Sequence, residues 1–337
     1  MTSPTASTGP TAESSEVGRV VIVGAGDLGA RIGRLLRSAG RAVDGWKRDP
    51  STLPEGFGRV AADLTRGSEL PELPEDTAAV VFCPTAGARS AARYRAVYRD
   101  GLRALLERAD RLGGRSGRRV RMVLVSSTAV HGGEEGLIDE TSPLHPNTPT
   151  GEVLAETEQL LRSDDSVESV VLRLAGIYGP GRRRLLDQVL GGGFGAAAEL
   201  TGTAQASTAG SLGTDPWKIS NRIHVDDAAA AAAAMVTASE RPSVLLGVDE
   251  LPVPVGMVHD WLADELGLPR PWPHLIPEGV ALDQVLHTGR EDPLWSATPA
   301  HGRAVNGAAL HRFLGGLRHP DFRSGYAPML EKPAADD

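Results

Sequence analysis

Between residues 17 and 179 short runs of β-branched and other apolar residues alternate with longer stretches in which apolar positions recur every three or four residues. The short runs are too continuously apolar for a sheet with one wet face. The longer ones each carry one apolar stripe, so the rhythm is that of a parallel sheet covered by helices on both faces. Strands are predicted over 19–23, 42–46, 59–61, 79–83, 121–126 and 169–174, with helices between them. In the stretch 89–112, Tyr94, Val97, Tyr98, Leu102, Leu105, Leu106, Ala109 and Leu112 fall close to one helical face, and Arg and Glu fill the others. Thr148-Pro149 has the form of an N-cap followed by proline at the first helical position. It opens a predicted helix to residue 162 with an apolar stripe of Val153, Leu154, Thr157, Leu160 and Leu161. A strand over 219–225, an Ala-rich helix begun by Asp226-Asp227, a strand over 243–248 and a helix over 257–266 follow.

Two kinds of segment break this rhythm. Residues 1–16 are rich in Ser, Thr, Pro and Gly, without a basic start or an apolar core, and read as a disordered tail, not a secretion signal. Residues 191–215 turn to Gly, Ala, Ser and Thr with little to bury, which suits either a mobile lid or plain disorder. Charge narrows the partners. The net charge of −8, with basic residues spread along the chain, lacks the footprint of a nucleic-acid binder or an anionic-membrane binder. No apolar run approaches the roughly 18–20 residues of a bilayer span, so the body is expected in the cytoplasm, off the membrane. The single cysteine, Cys83, excludes an internal disulfide framework and a Cys-based zinc cluster, and its apolar setting reads as inert packing at a strand end. No metal site is expected.

Val20-Val21-Ile22-Val23-Gly24-Ala25-Gly26-Asp27-Leu28-Gly29 runs from a strand through a G-x-G-x-x-G loop into a helix predicted over 28–38. Glycines in that context give a tight turn, close approach of a diphosphate to backbone, and close helix–strand contact, so the segment reads as a dinucleotide loop. At the end of the second strand, where an acid takes the ribose hydroxyls of NAD, stands Trp46-Lys47-Arg48. Two cations suit a 2′-phosphate and point to NADP(H) over NAD(H), although Asp44 and Asp49 lie close by.

Four later segments carry a resemblance. They are Val125-Ser126-Ser127-Thr128-Ala129-Val130-His131-Gly132, Asp139-Glu140-Thr141-Ser142-Pro143, Arg173-Leu174-Ala175-Gly176-Ile177-Tyr178-Gly179-Pro180-Gly181 and Asn221-Arg222-Ile223-His224-Val225-Asp226-Asp227. In order and spacing they resemble the extended short-chain dehydrogenase/reductases, the NAD-dependent epimerase/dehydratase family. The G-x-G-x-x-G loop departs from that family's usual G-x-x-G-x-x-G. The resemblance implies an α/β fold: a Rossmann-type doubly wound parallel sheet (17–180 and 219–250) with a smaller C-terminal capping region (181–218 and 251–330), then a tail at 331–337. It places Asp63 and Leu64 at the adenine, Cys83 and Pro84 near the nicotinamide ribose, and Ser126 and Ser127 by the nicotinamide. Ala175 to Ile177 would lie near its carboxamide, and His224, Asp226 and Asp227 would order the domain junction. It also implies a homodimer built on helices 89–112 and 149–162.

Family chemistry uses a Tyr that passes a proton, a Lys four residues later that lowers the Tyr pKa, and a Ser or Thr donor. Ser127 keeps the donor, whereas Thr150 and Leu154 hold the other two places and do not titrate near neutrality. None of Tyr94, Tyr98, Tyr178 and Tyr326 has a Lys four positions on. Replacement proton carriers are His131, where the family has a second Tyr, and Tyr178 at the start of the cap, each also readable as packing. Two functions remain open: an NADP(H)-dependent oxidoreductase or epimerase-like enzyme on a small polar, sugar-nucleotide-like substrate, or an NADP(H)-binding sensor or partner-binding protein without turnover.

Overall fold

The computed structural model describes residues 18–191, 215–273, 275 and 300–330. The predicted tails, and all but the two end residues of the predicted loop 191–215, lie outside them.

Seven parallel strands form the central sheet: β1 (Arg19–Val23), β2 (Val43–Lys47), β3 (Gly58–Ala61), β4 (Thr77–Phe82), β5 (Val120–Ser127), β6 (Val167–Leu174) and β7 (Val244–Gly247). Their spatial order is 3-2-1-4-5-6-7, so the chain reverses direction across the sheet between β1 and β4. Side-chain alternation explains why β1 reads as one apolar run. Val20 and Ile22 pack under one helical layer with Leu28, Ile32, Ala229 and Ala232, and Val21 and Val23 pack under the other with Leu102, Leu105 and Leu112.

The first layer holds α1 (Asp27–Ser38) and the Ala-rich helix Val225–Thr237. The second holds the helical run from Ala91 to Ser116 and the helix Pro149–Arg162. Thr148 caps the latter as expected, its Oγ1 accepting from Gly151 N at 3.1 Å. Of the stripes of these last two helices, Val97, Leu102, Leu105, Leu106, Ala109, Leu112 and Leu161 join the core on this face of the sheet. Their outward surface carries Arg95 and Arg99, both paired with Glu156. No described helix is long and apolar enough to cross a membrane.

Three elements differ from expectation. The run 89–112 forms a short α-helix (Ala91–Tyr94), a π-helical turn (Arg95–Asp100) and a longer α-helix (Gly101–Ser116). The strand expected over 219–225 divides at Asn221. Ile219–Ser220 pairs antiparallel with Val253–Pro254, and Arg222–His224 pairs parallel with Gly176–Tyr178. A parallel pair absent from the sequence reading joins Gly136–Ile138 to Arg303–Val305. Tyr178, Leu186, Met257, Trp261, Phe322 and Tyr326 meet in a separate small core at the C-terminal side.

Candidate nucleotide and substrate site

The glycines of the loop do three separate jobs. Gly24 has φ +89°, and a Cβ there would lie 2.5 Å from Pro84 Cα, so backbone conformation and crowding both demand glycine. Gly26 opens on space, its nearest neighbour to a Cβ being Gly24 O at 3.9 Å. At Gly29 a Cβ would stand 3.0 Å from Ile22 Cγ2 and 3.2 Å from Cys83 Sγ, so the missing side chain lets α1 sit close to β1 and β4. Gly26 is also the N-cap of α1 and offers no side-chain acceptor, which leaves the first helical amides for an anion.

Three cavities join along the C-terminal edge of the sheet. One of about 400 Å³ runs from Gly24 and Gly26 past Trp46, Lys47 and Arg48 to Asp63 and Leu64. A second, about 440 Å³, shares Gly24, Gly26, Pro84 and Thr85 with the first and reaches Ser126, Ser127, Ala175 and Ile177. The third, about 840 Å³, shares Ser127, Ala129 and Ala175 with the second and extends to Lys218, His301 and Arg303. The structure therefore brings together every residue nominated for the cofactor: Lys47, Arg48, Asp63 and Leu64 line the first cavity. Gly24, Gly26, Asp27, Leu28, Gly29, Cys83, Pro84, Ser126, Ala175 and Ile177 line the second.

At the far end of the first cavity the two nearby carboxylates are already engaged. Asp49 accepts from Ser51 Oγ at 2.6 Å and Ser51 N at 3.0 Å, and Asp63 accepts from Thr65 N at 3.0 Å and Thr65 Oγ1 at 2.8 Å. The Ser51 and Thr65 hydrogen bonds hold both acids below the usual carboxylate range. Lys47 Nζ donates to Thr52 Oγ1 at 2.8 Å. Arg48 is exposed and has no hydrogen-bonded partner among the described residues.

Ser127, and the Thr150 and Leu154 expected at the family's Tyr and Lys places, line the second cavity. Cys83 is buried beside them, and burial pushes its thiol up to about 12, which removes thiolate chemistry near neutrality. The other two nominated proton carriers sit elsewhere. His131 is fully buried: Nδ1 donates to the Pro143 carbonyl at 2.8 Å and Nε2 accepts from Arg173 Nη1 at 3.1 Å. Burial first, then the Arg173 charge, holds its pKa below the ordinary histidine value. Tyr178 is 4% exposed, donates to the Asp321 carbonyl at 3.1 Å and stacks on Tyr326. Burial drives its hydroxyl pKa upward.

Sequence reasoning passed over a buried network under the site. Arg173 Nη2 donates to Glu158 Oε2 at 2.8 Å, and Ser126 Oγ donates to Glu158 Oε1 at 2.6 Å. The signal was present: Glu158 interrupts an apolar helix stripe one turn after Leu154, and Arg173 stands between Val170-Val171-Leu172 and Leu174. Tyr94 and Tyr98 were also missed. They stack at 5.1 Å and line the second cavity, with Tyr98 Oη donating to Pro84 O at 2.8 Å. In the third cavity His301 Nε2 donates to Asp215 Oδ2 at 2.5 Å.

A glycine loop at the reversal point of a parallel sheet, with a cleft continuing past the strand ends, defines a dinucleotide-binding α/β protein. The sequence profile of the NAD-dependent epimerase/dehydratase family matches residues 20–246, and the chain belongs to that family. Protein YeeZ of Escherichia coli strain K12 is 31% identical over 173 residues, 49% of this chain and 60% of its own length. A protein of Methylobacillus flagellatus described as an NAD-dependent epimerase/dehydratase superposes with a TM-score of 0.66 at 27% identity, covering 94% of this chain and 98% of that one. MoeE5 in complex with UDP-glucuronic acid and NAD superposes with a TM-score of 0.63 at 21% identity, covering 92% of this chain and 97% of that one.

Proposed function

We propose that the protein is an NADP(H)-dependent oxidoreductase or epimerase-like enzyme acting on a small polar substrate of the sugar-nucleotide kind. The observation that carries this reading is the continuity of the three cavities, with Ser127 at the junction of the second and third. The residues fit a phosphorylated dinucleotide: open backbone at Gly26 for the diphosphate, and for a 2′-phosphate Lys47 with Arg48, whose guanidinium has no hydrogen-bonded partner among the described residues, while Asp49 and Asp63 accept from Ser51 and Thr65 and feel the Lys47 and Arg48 charges respectively. Bound NADP(H) supplies hydride exchange at its nicotinamide ring. Ser127, which accepts from Ala129 N at 3.2 Å, keeps its hydroxyl proton for an oxygen of the substrate. Lys218 and Arg303 line the third cavity and suit a phosphate or carboxylate there.

The test is a panel of sugar nucleotides and smaller carbonyl compounds with NADPH oxidation or isomer exchange as readout. Ser127→Ala should lower turnover by about 10²-fold and leave NADPH affinity within about twofold. An active preparation whose rate is indifferent to Ser127→Ala would remove Ser127 from the chemistry. A second reading, an NADP(H)-binding sensor without turnover, is favoured by Thr150 and Leu154 lining the cavity where a titrating pair belongs. NADPH binding without turnover across the panel would select it.

A further inference from the structure

Asp27 places a negative charge where an anion is meant to bind. It is the first residue of α1, beside the amides that Gly26 leaves uncapped, and it lines the second cavity. A carboxylate at that point repels a diphosphate unless it is compensated. Two guanidinium groups reach it: Arg31 Nε at 3.1 Å and Arg182 Nε at 3.0 Å. Arg31 is divided, since its Nη1 also donates to Asp226 Oδ1 at 2.6 Å. Arg182 is not divided. The one acceptor of its guanidinium among the described residues is Asp27, which leaves both terminal amino groups without a hydrogen-bonded partner there, and the residue lines the same cavity.

The chain is built to deliver Arg182 to this place. Gly179 (φ +131°) and Gly181 (φ +81°) flank Pro180 in conformations that favour glycine, and Arg182 N donates back to Gly179 O at 2.8 Å, closing the turn. A Cβ on Gly179 would stand 2.8 Å from His224 Nε2, so the turn is pressed against the junction of the sheet and the C-terminal region. Burial raises the Asp27 pKa, but the hydrogen bonds from Arg182 and Arg31 outweigh it and keep the carboxyl ionised below its ordinary value.

Resting on the cofactor assignment above, we propose that Arg182 is a positioning residue for the cofactor's diphosphate. Asp27 fixes it through Nε, its terminal amino groups take a diphosphate oxygen, and its charge cancels the repulsion of Asp27 itself. The carboxylate is then an anchor whose cost to an incoming anion is removed by the group it anchors. Because Arg182 follows the Gly179-Pro180-Gly181 turn, cofactor binding also pins the segment that leads from the sheet toward the C-terminal region.

Titration calorimetry on the full chain tests this with two ligands, NADPH and adenosine 2′-monophosphate, which has the 2′-phosphate and adenosine but neither phosphate of the diphosphate. Arg182→Gln should weaken NADPH by about 10- to 50-fold and change adenosine 2′-monophosphate by less than about twofold. In an Asp27→Asn background the same substitution should cost NADPH only about threefold, because the charge it had to cancel is gone. Arg182 is a partly exposed surface residue, and unchanged melting of each variant checks that the fold is kept. No loss of NADPH affinity, equal losses for both ligands, or an equal cost in both backgrounds would overturn the inference while leaving the cofactor assignment standing. If wild-type protein binds neither ligand, the cofactor assignment falls and this inference falls with it.

Discussion

Ser126 and Ser127 are neighbours on β5 that face opposite ways. Both line the second cavity, but only Ser127 also lines the third, whereas the Ser126 hydroxyl donates to the buried Glu158, which holds Arg173 and through it His131. The glycine loop, the cations after β2 and the strand-end residues were legible in sequence because their meaning depends on spacing along one strand and one turn. His131 was not. Its distance from β5 is visible in the sequence, but the direction of its ring is set by Pro143 and Arg173, 12 and 42 residues away. A buried ion pair is costly to break from one side, since the remaining charge has no water to turn to. Glu158→Gln should therefore destabilise the protein by about 3–5 kcal/mol in denaturant unfolding. A loss under 1 kcal/mol would show that Arg173 has another counter-charge.

At the scale of elements, the predicted α/β rhythm holds for all seven strands of the sheet, because both faces of each central strand are apolar and the helices between carry single stripes. The departures come where tertiary partners decide. The split at Asn221 follows from its side chain, whose Nδ2 donates to Arg303 O at 3.0 Å while Oδ1 accepts from Val305 N at 2.8 Å, so this residue serves a neighbouring strand. The following strand ends at His224, which caps the helix Val225–Thr237 by accepting from Asp226 N at 3.2 Å. Burial, the nearby His319, and the Arg31 and Arg318 charges push the His224 pKa down to about 4, with Asp226 opposing them. A histidine lowered in the folded state binds fewer protons there than in the unfolded chain. Its contribution is intact above the unfolded value near 6.5 and is lost as pH falls toward about 4. Asparagine caps equally well and does not titrate. His224→Asn should reduce the loss of stability between pH 6.5 and 4 by about 2 kcal/mol, read from denaturant midpoints across pH. An unchanged pH slope would place the acid sensitivity elsewhere.

For the whole molecule, the sheet order puts the reversal between β1 and β4, and the loops after β1, β2, β4 and β5 all open on one edge. That geometry turns residues from distant segments into one continuous channel, from Arg48 at one end to Arg303 at the other. The end at the glycine loop is lined by residues readable from local motifs. The end beyond Ser127 is not, because Lys218 meets His301 in a parallel bridge and Arg303–Val305 pairs with Gly136–Ile138, long-range contacts without a local signature. The central claim is that this channel holds a dinucleotide carrying a 2′-phosphate, and fluorescence titration of NADPH against NADH tests it most directly. Wild-type protein should bind NADPH at least about 30-fold more tightly, and Arg48→Ser should remove most of that preference by weakening NADPH alone. Equal affinities in the wild type, or tighter binding of NADH, would contradict the account.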